Sequence, residues 1–152
     1  MLRDNGITLE LQPSSGSVEN LQRLQQGRVA VGLVQGGLGP GVQDPLADNA
    51  DTPLRTLATV SHEPLWVFSH TLNLDAGLGA LKGRRVAVGA PGSGNRQLAM
   101  QLLATYGLVD AQGRWPAGTE LLDLGGVAAA NALQAQQIDA VILVAAAQAP
   151  AV

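Results

Sequence analysis

Residues 7–11 (ITLEL) alternate apolar and polar positions, open on β-branched residues, and predict a strand. The PSSGS cluster at 13–17 breaks that pattern. The spacing then changes from two to nearly four. Val18, Leu21 and Leu24 fall on one face of a helix, with Ser15 or Ser17 as N-cap, Glu19 in the first turn and Gly27 as its stop. The run VAVGLV at 29–34 is continuously apolar, which predicts a strand buried on both faces. Residues 36–53 are turn-formers with few apolar anchors and predict a long loop. Extended segments are expected at 54–60 and 65–69, then a connector over 72–83 with a short helix at 76–81.

A second cycle follows. The pattern predicts a strand at 85–88, a glycine turn at 89–94, and a helix at 95–106 with Leu98, Leu102, Leu103 and Tyr106 inward, stopped by Gly107. A turn at 112–118, a strand at 119–124, a turn at 125–126, a helix at 127–136 and a strand at 138–144 complete it. Segments 8–34 and 119–144 share one grammar: strand, small-residue turn, helix with a Gln-rich end, apolar strand. A strand–helix–strand crossover of that length implies parallel strands. The expected class is therefore α/β, with two Rossmann-like lobes and mainly parallel sheets. Residues 1–70 belong to the first lobe and 71–152 to the second, with a hinge connector around 65–83. A pair of βαβ units inside one sheet is the alternative.

Composition narrows the function. Of 152 residues, 46% are hydrophobic but only 3% aromatic, so the core must be built from Leu, Val and Ala. The net charge of −3 lacks the clustered basic footprint of a nucleic-acid binder; Lys82, Arg84 and Arg85 alone approach one. No cysteine is present, which removes disulfides and thiolate metal sites. No apolar run reaches the roughly 18 residues of a membrane span, and no signal peptide opens the chain. Both ends read as cut, so unpaired sheet edges offer a route to a dimer or to swapped strands.

The turn GAPGSG, Gly89 to Gly94, lies between a strand and a helix and invites a phosphate. A phosphate loop needs Lys and Ser or Thr next; Asn95 and Arg96 stand there instead. The spacing also departs from the dinucleotide fingerprint and from the hydrolase nucleophile elbow. What remains is a helix start with outward N–H groups, close approach over glycine, and donors on Ser93 and Asn95. Such a turn suits an anion, a carboxylate as well as a phosphate. The PSSGS turn repeats the chemistry, and Gln35 ends a strand. Three polar elements would thus meet at a cleft.

The segments SSGSVENLQRLQQG, VAVGLVQ, LRTLATVSHEPLWVF, LGALKGRRVAVGAPGSGNRQLAMQLL and NALQAQQIDAVILVA occur in the order of the TAXI-type solute-binding proteins. These are the substrate receptors of tripartite ATP-independent periplasmic (TRAP) transporters. The resemblance covers nearly the whole chain from Ile7, and GSVENL and LKGRRVAVGAPGSG are its most specific parts. It implies a type-II periplasmic-binding-protein-like fold, a small amino or dicarboxylic acid held between closing lobes, and membrane transporter subunits as partners. It also implies a periplasmic or otherwise extracytoplasmic location. Carried over by position, the ligand residues are Ser14, Ser15, Gly16 and Ser17, then Gln35, then Gly92, Ser93 and Gly94. Asn95 replaces the threonine usual after GSG, and Ala30 replaces an acid whose counterpart in the second unit is Asp139. The family's opening strand and helix, and the chain's return after Val144, have no match here.

Other residues complete the expectations. Glu63, ahead of Pro64, is placed to receive a ligand ammonium group. Trp66 and Phe68 alternate with Val67 and are expected to pack. Arg96 is a candidate carboxylate partner. His62 and His70 lack companions at metal spacing. No nucleophile–base pair is evident, so the chain reads as a binder, not an enzyme, and calls for no cofactor and no nucleic acid. A ligand-sensing regulatory domain of the same fold and a degenerate phosphate-loop protein are the competing readings.

Overall fold

The computed structural model of the chain describes residues 3–38, 54–110, 112 and 114–152. Most of the loop expected over 36–53 lies outside the described residues. The chain forms one open, mostly parallel sheet with helices, a mixed α/β fold compatible with part of a periplasmic-binding-like architecture. Its strands are β1 (Leu65–Phe68), β2 (Arg85–Ala87), β3 (Glu120–Leu122) and β4 (Ala140–Val144). Its helices are α1 (Ser17–Gln25), α2 (Gly94–Thr105) and α3 (Gly126–Gln134).

The strand order is β1-β4-β2-β3. β2 pairs in parallel with both β3 and β4, and β1 pairs antiparallel with β4. The sequence AVILV is continuously apolar because β4 lies inside the sheet and is covered on both faces. Ala140 and Ile142 join Val86 and Val88 against Ala99 and Leu103 of α2. Val141 and Leu143 join Ala87 against Ala129, Ala132 and Leu133 of α3. Successive strand residues thus serve opposite layers, as the pleat requires.

Leu65–Phe68, expected within the hinge connector, is the antiparallel edge strand of this sheet. Val67 packs on the α2 side. Trp66 and Phe68 pack on the α3 side, their rings stacked at 5.7 Å. The Trp66 indole N–H donates to the Ala145 carbonyl at 3.0 Å, which satisfies its polar edge.

The expected inward set of α2 changes. Ala99 and Leu103 are fully buried, while Tyr106 is 61% exposed. The sheet-facing stripe runs through Asn95, Ala99 and Leu103, and Tyr106 is the C-cap, where the chain leaves helical geometry. Gly27 and Gly107 do terminate their helices in the left-handed region, as expected. At α1, Gly27 and Arg28 donate back to Leu24 and Arg23 at 3.0 and 2.8 Å, a Schellman motif.

The expected first-lobe sheet does not form among the described residues. α1 is present, but segments 7–11, 29–34 and 54–60 form no strand. Leu11 is 82% and Leu33 73% exposed, against the burial expected for 29–34. The second unit shows why. Its strands β3 and β4 do not pair with each other; both pair with β2 between them. The first unit has no such central strand among the described residues, so its apolar segments gain no ladder, and the Leu33 carbonyl accepts instead from the Asn20 side-chain amide at 2.8 Å.

Asp139 clamps the entry to β4. Its carboxylate accepts from the Arg85 backbone N–H at 2.8 Å and from the guanidinium at 2.9 and 3.2 Å. The Arg85 side-chain bonds, then the backbone bond, hold its pKa at about 2, below the ordinary 3.8. A depressed acid stabilises the fold above its unfolded pKa and loses that contribution as pH falls through the folded value. Asp139→Asn is expected to lower stability near neutral pH by about 1–2 kcal/mol, allowing for partial exposure. It should also flatten the loss of stability between pH 4 and pH 2, which thermal melts against pH will show.

Candidate functional site

The site grows from two helix starts that touch. Residues 13–17 are too small and too rich in hydroxyls to continue either flanking element, and Gly16 becomes the N-cap of α1 at φ 139°. The cap is therefore Gly16, not the expected Ser15 or Ser17, and no side chain caps the first turn. Ser15 instead donates its backbone N–H and hydroxyl to the Glu19 carboxylate at 2.8 and 2.7 Å. Those two bonds, with the Arg23 ion pair, hold the Glu19 pKa at about 2. Among the described residues no side chain caps the first-turn N–H groups of α1, and the Glu19 carboxylate stands in that turn at the positive end of the helix dipole.

Against this turn lies the start of α2. A Cβ on Gly16 would stand 3.4 Å from the Ser93 Cα, and one on Gly92 would stand 3.6 Å from the Ser15 hydroxyl. Both are ordinary van der Waals distances, so it is the backbone, with φ 139° at Gly16 and 79° at Gly92, that calls for glycine here. Segment 35–38 closes the junction. The Gln35 backbone N–H donates to the Ser17 hydroxyl at 3.1 Å, and its side-chain amide reaches Glu63 at 3.4 Å. Its amide oxygen lies against Gly94, where a Cβ would come within 2.0 Å of it. Leu38 is 4% exposed, and its carbonyl accepts from the Gln97 amide at 3.3 Å.

Ser15, Gly16, Ser17, Gln35, Glu63, Gly92, Ser93 and Gly94 therefore meet in one place. Ser14 is exposed in the same turn as Ser15. Asn95 serves another purpose. Its amide N–H groups donate to the Val88 and Ile142 carbonyls, both at 2.9 Å, and its oxygen accepts from the Val144 N–H at 2.6 Å. The amide ties α2 to the ends of β2 and β4, so no donor is left for a ligand. The Ser93 hydroxyl is also engaged: it caps Arg96 at 3.1 Å and donates to the Ala90 carbonyl at 2.7 Å. Ser93 contributes position and backbone rather than a free hydroxyl.

Arg96, the candidate carboxylate partner, forms an ion pair with Asp123 and donates to the Gly89 carbonyl at 3.1 Å. A phosphate loop would need a free cation at this turn, and the nearest guanidinium is neutralised. Sequence reasoning missed Leu38 and the Ser15–Glu19 lock. Leu38 stands among glycines and a proline, where nothing signals burial. The lock was readable as a Ser followed four residues later by Glu.

The NMT1-like family model matches residues 1–152. The chain belongs to this family. No curated protein matches the sequence. Membership of the NMT1-like family is consistent with a protein of the periplasmic-binding type and suggests solute binding as the kind of function. In this NMT1-like chain the ends of β2 and β4 and the starts of α1 and α2 lie on one side of the sheet's carboxyl edge, where open α/β sheets take their ligands.

Proposed function

We propose that this chain binds a small carboxylate-bearing solute at the junction of the α1 and α2 starts. It acts as an extracytoplasmic receptor that hands the solute to the membrane subunits of a TRAP-type transporter, without chemical conversion. The observation that carries the reading is the uncapped first turn of α1 abutting the Gly92–Gly94 turn. Two helix starts in contact favour a negative charge more than either alone. The Gln35 amide and the Glu63 carboxylate add a donor and an acceptor for the remainder of the solute. The resemblance to TAXI-type receptors supports the transporter role and the location, and NMT1-like membership supports solute binding.

A thermal-shift panel of amino acids, dicarboxylates and nucleotides tests the reading. A carboxylate solute at about a hundred times its Kd should stabilise the chain by about 2.7 kcal/mol, a rise of several degrees. Stabilisation by nucleotides alone would contradict it.

A further inference from the structure

Large apolar side chains lie uncovered in three short segments: Leu9 and Leu11, Val31 and Leu33, Leu57 and Val60, each between 64% and 82% exposed. None of the three segments belongs to a strand. Exposed apolar residues scattered singly are ordinary on a protein surface; a gathered set marks a contact. These are gathered. Segment 7–11 runs into the turn at 13–17, segment 29–34 into Gln35, and segment 54–60 toward Glu63. The Gln35 backbone N–H donates to the Ser17 hydroxyl at 3.1 Å and its amide to Glu63 at 3.4 Å, so the three segments end side by side.

The middle segment is covered on one side. Gly32 and Val34 are half-buried, and a Cβ on Gly32 would stand 3.1 Å from the Leu24 Cδ1 of α1. The Asn20 amide of α1 donates to the Leu33 carbonyl at 2.8 Å. Val31 and Leu33, which alternate with Gly32 and Val34, are left open among the described residues. β4 shows the same arrangement complete, an apolar run between two helix layers. Charge is nearly absent: Glu10 and Arg55 are the only ionisable residues of the three segments, and their signs are opposite. A nucleic acid or a strongly charged partner finds nothing to hold here. A second copy presents an apolar, near-neutral surface of the same kind, as a two-fold contact requires.

Area supports that partner. At roughly 60–120 Å² of apolar surface per fully exposed aliphatic side chain, the residues named present about 250–500 Å² per copy. Two copies meeting there remove about 500–1,000 Å² from water, which spans the ~900 Å² of apolar surface in a standard-size interface. We propose that this surface is a two-fold interface between copies of this chain, in which segments 7–11, 29–34 and 54–60 of one copy cover those of the other. Backbone groups that form no ladder within one copy gain main-chain hydrogen bonds across the contact. The interface stands independently of the solute site, which it adjoins at Gln35 and Glu63.

Sedimentation equilibrium of the whole chain, over a series from below micromolar to hundreds of micromolar, tests it. The expected result is a monomer–dimer equilibrium with a micromolar or tighter Kd. Leu33→Lys combined with Leu57→Lys should weaken the dimer at least about a hundredfold. Tyr106→Lys, which changes a 61% exposed ring at the far end of α2 from the junction, should leave it unchanged. Hydrogen exchange should show the amides of 29–34 protected only at concentrations where the dimer forms. A monomer at every concentration, a dimer that survives the double substitution, or open-ended association past the dimer would overturn the proposal. Protection of 29–34 in the monomer would give the cover to the chain itself, and uptake of the monomer by uncharged lipid vesicles would give it to a membrane; either would overturn it too. The substituted side chains are exposed, so unchanged melting of the variants in dilute solution checks that they fold.

Discussion

Asn95→Asp is expected to destabilise the chain by about 2–4 kcal/mol at neutral pH, lowering the melting temperature by about 5–15 °C. The wild-type amide donates to two strand-end carbonyls and accepts from one N–H. An aspartate keeps the acceptor but turns a carboxylate oxygen toward the Val88 and Ile142 carbonyls. Both carbonyls lose their donor and gain a neighbouring negative charge. Protonation restores one donor, so the deficit relative to wild type at the same pH should shrink as the buffer is taken toward pH 4. Asn95→Ala removes the same bonds without the charge and should cost less, about 1–3 kcal/mol, with little dependence on pH. Melts of the three proteins at two pH values decide the matter. Aspartate and alanine variants that both melt like the wild type would mean that the amide does not hold the sheet as described.

The second large effect is expected at Gly94. A Cβ there would lie 2.0 Å from the Gln35 amide oxygen, 2.9 Å from the Leu38 Cδ1 and 3.0 Å from the Ser17 hydroxyl. The Gln35 side chain can swing away, but Leu38 and Ser17 must also give. Gly94→Ala should therefore cost about 1–3 kcal/mol through overpacking. The sheet, held by other contacts, should persist, and any stabilisation by a carboxylate solute should be lost. Gly36→Ala is the control, since nothing lies within 4 Å of a Cβ there. It is expected to be neutral within about 0.5 kcal/mol. Melting with and without solute measures both.

The second half of the chain was legible because its patterns are satisfied within it. The apolar run at 140–144 reads as an interior strand, and β1, β2 and both helix layers supply its neighbours. The run at 29–34, VAVGLV, is apolar too and has a different fate. An apolar run reports that residues suit a strand; it does not report that a partner exists. Glycine marked the ends of α1 and α2 well, since φ is positive at Gly27 and Gly107.

The candidate site was legible as places rather than as bonds. Two hydroxyl- and glycine-rich helix starts were readable from local chemistry, and they do meet. Gln35 reaches the junction although its expected strand is absent, because Ser17 and Gly94 receive its backbone and its side chain. Which side chains are already engaged was not readable. Asn95 and Arg96 have the residue types of ligand donors, yet Val144 and Asp123 claim them from 49 and 27 positions away. Only tertiary packing brings those partners near.

The most direct test follows the backbone N–H groups that the account assigns to the solute. Amide resonances should be recorded while a carboxylate solute is titrated into the isotopically labelled chain. The account predicts saturable shifts concentrated at Gly16 to Glu19 and Gly92 to Gly94, with Gln35 following, and little change across β2 and β3. Shifts confined to other surfaces, or a titration that moves neither helix start, would contradict it.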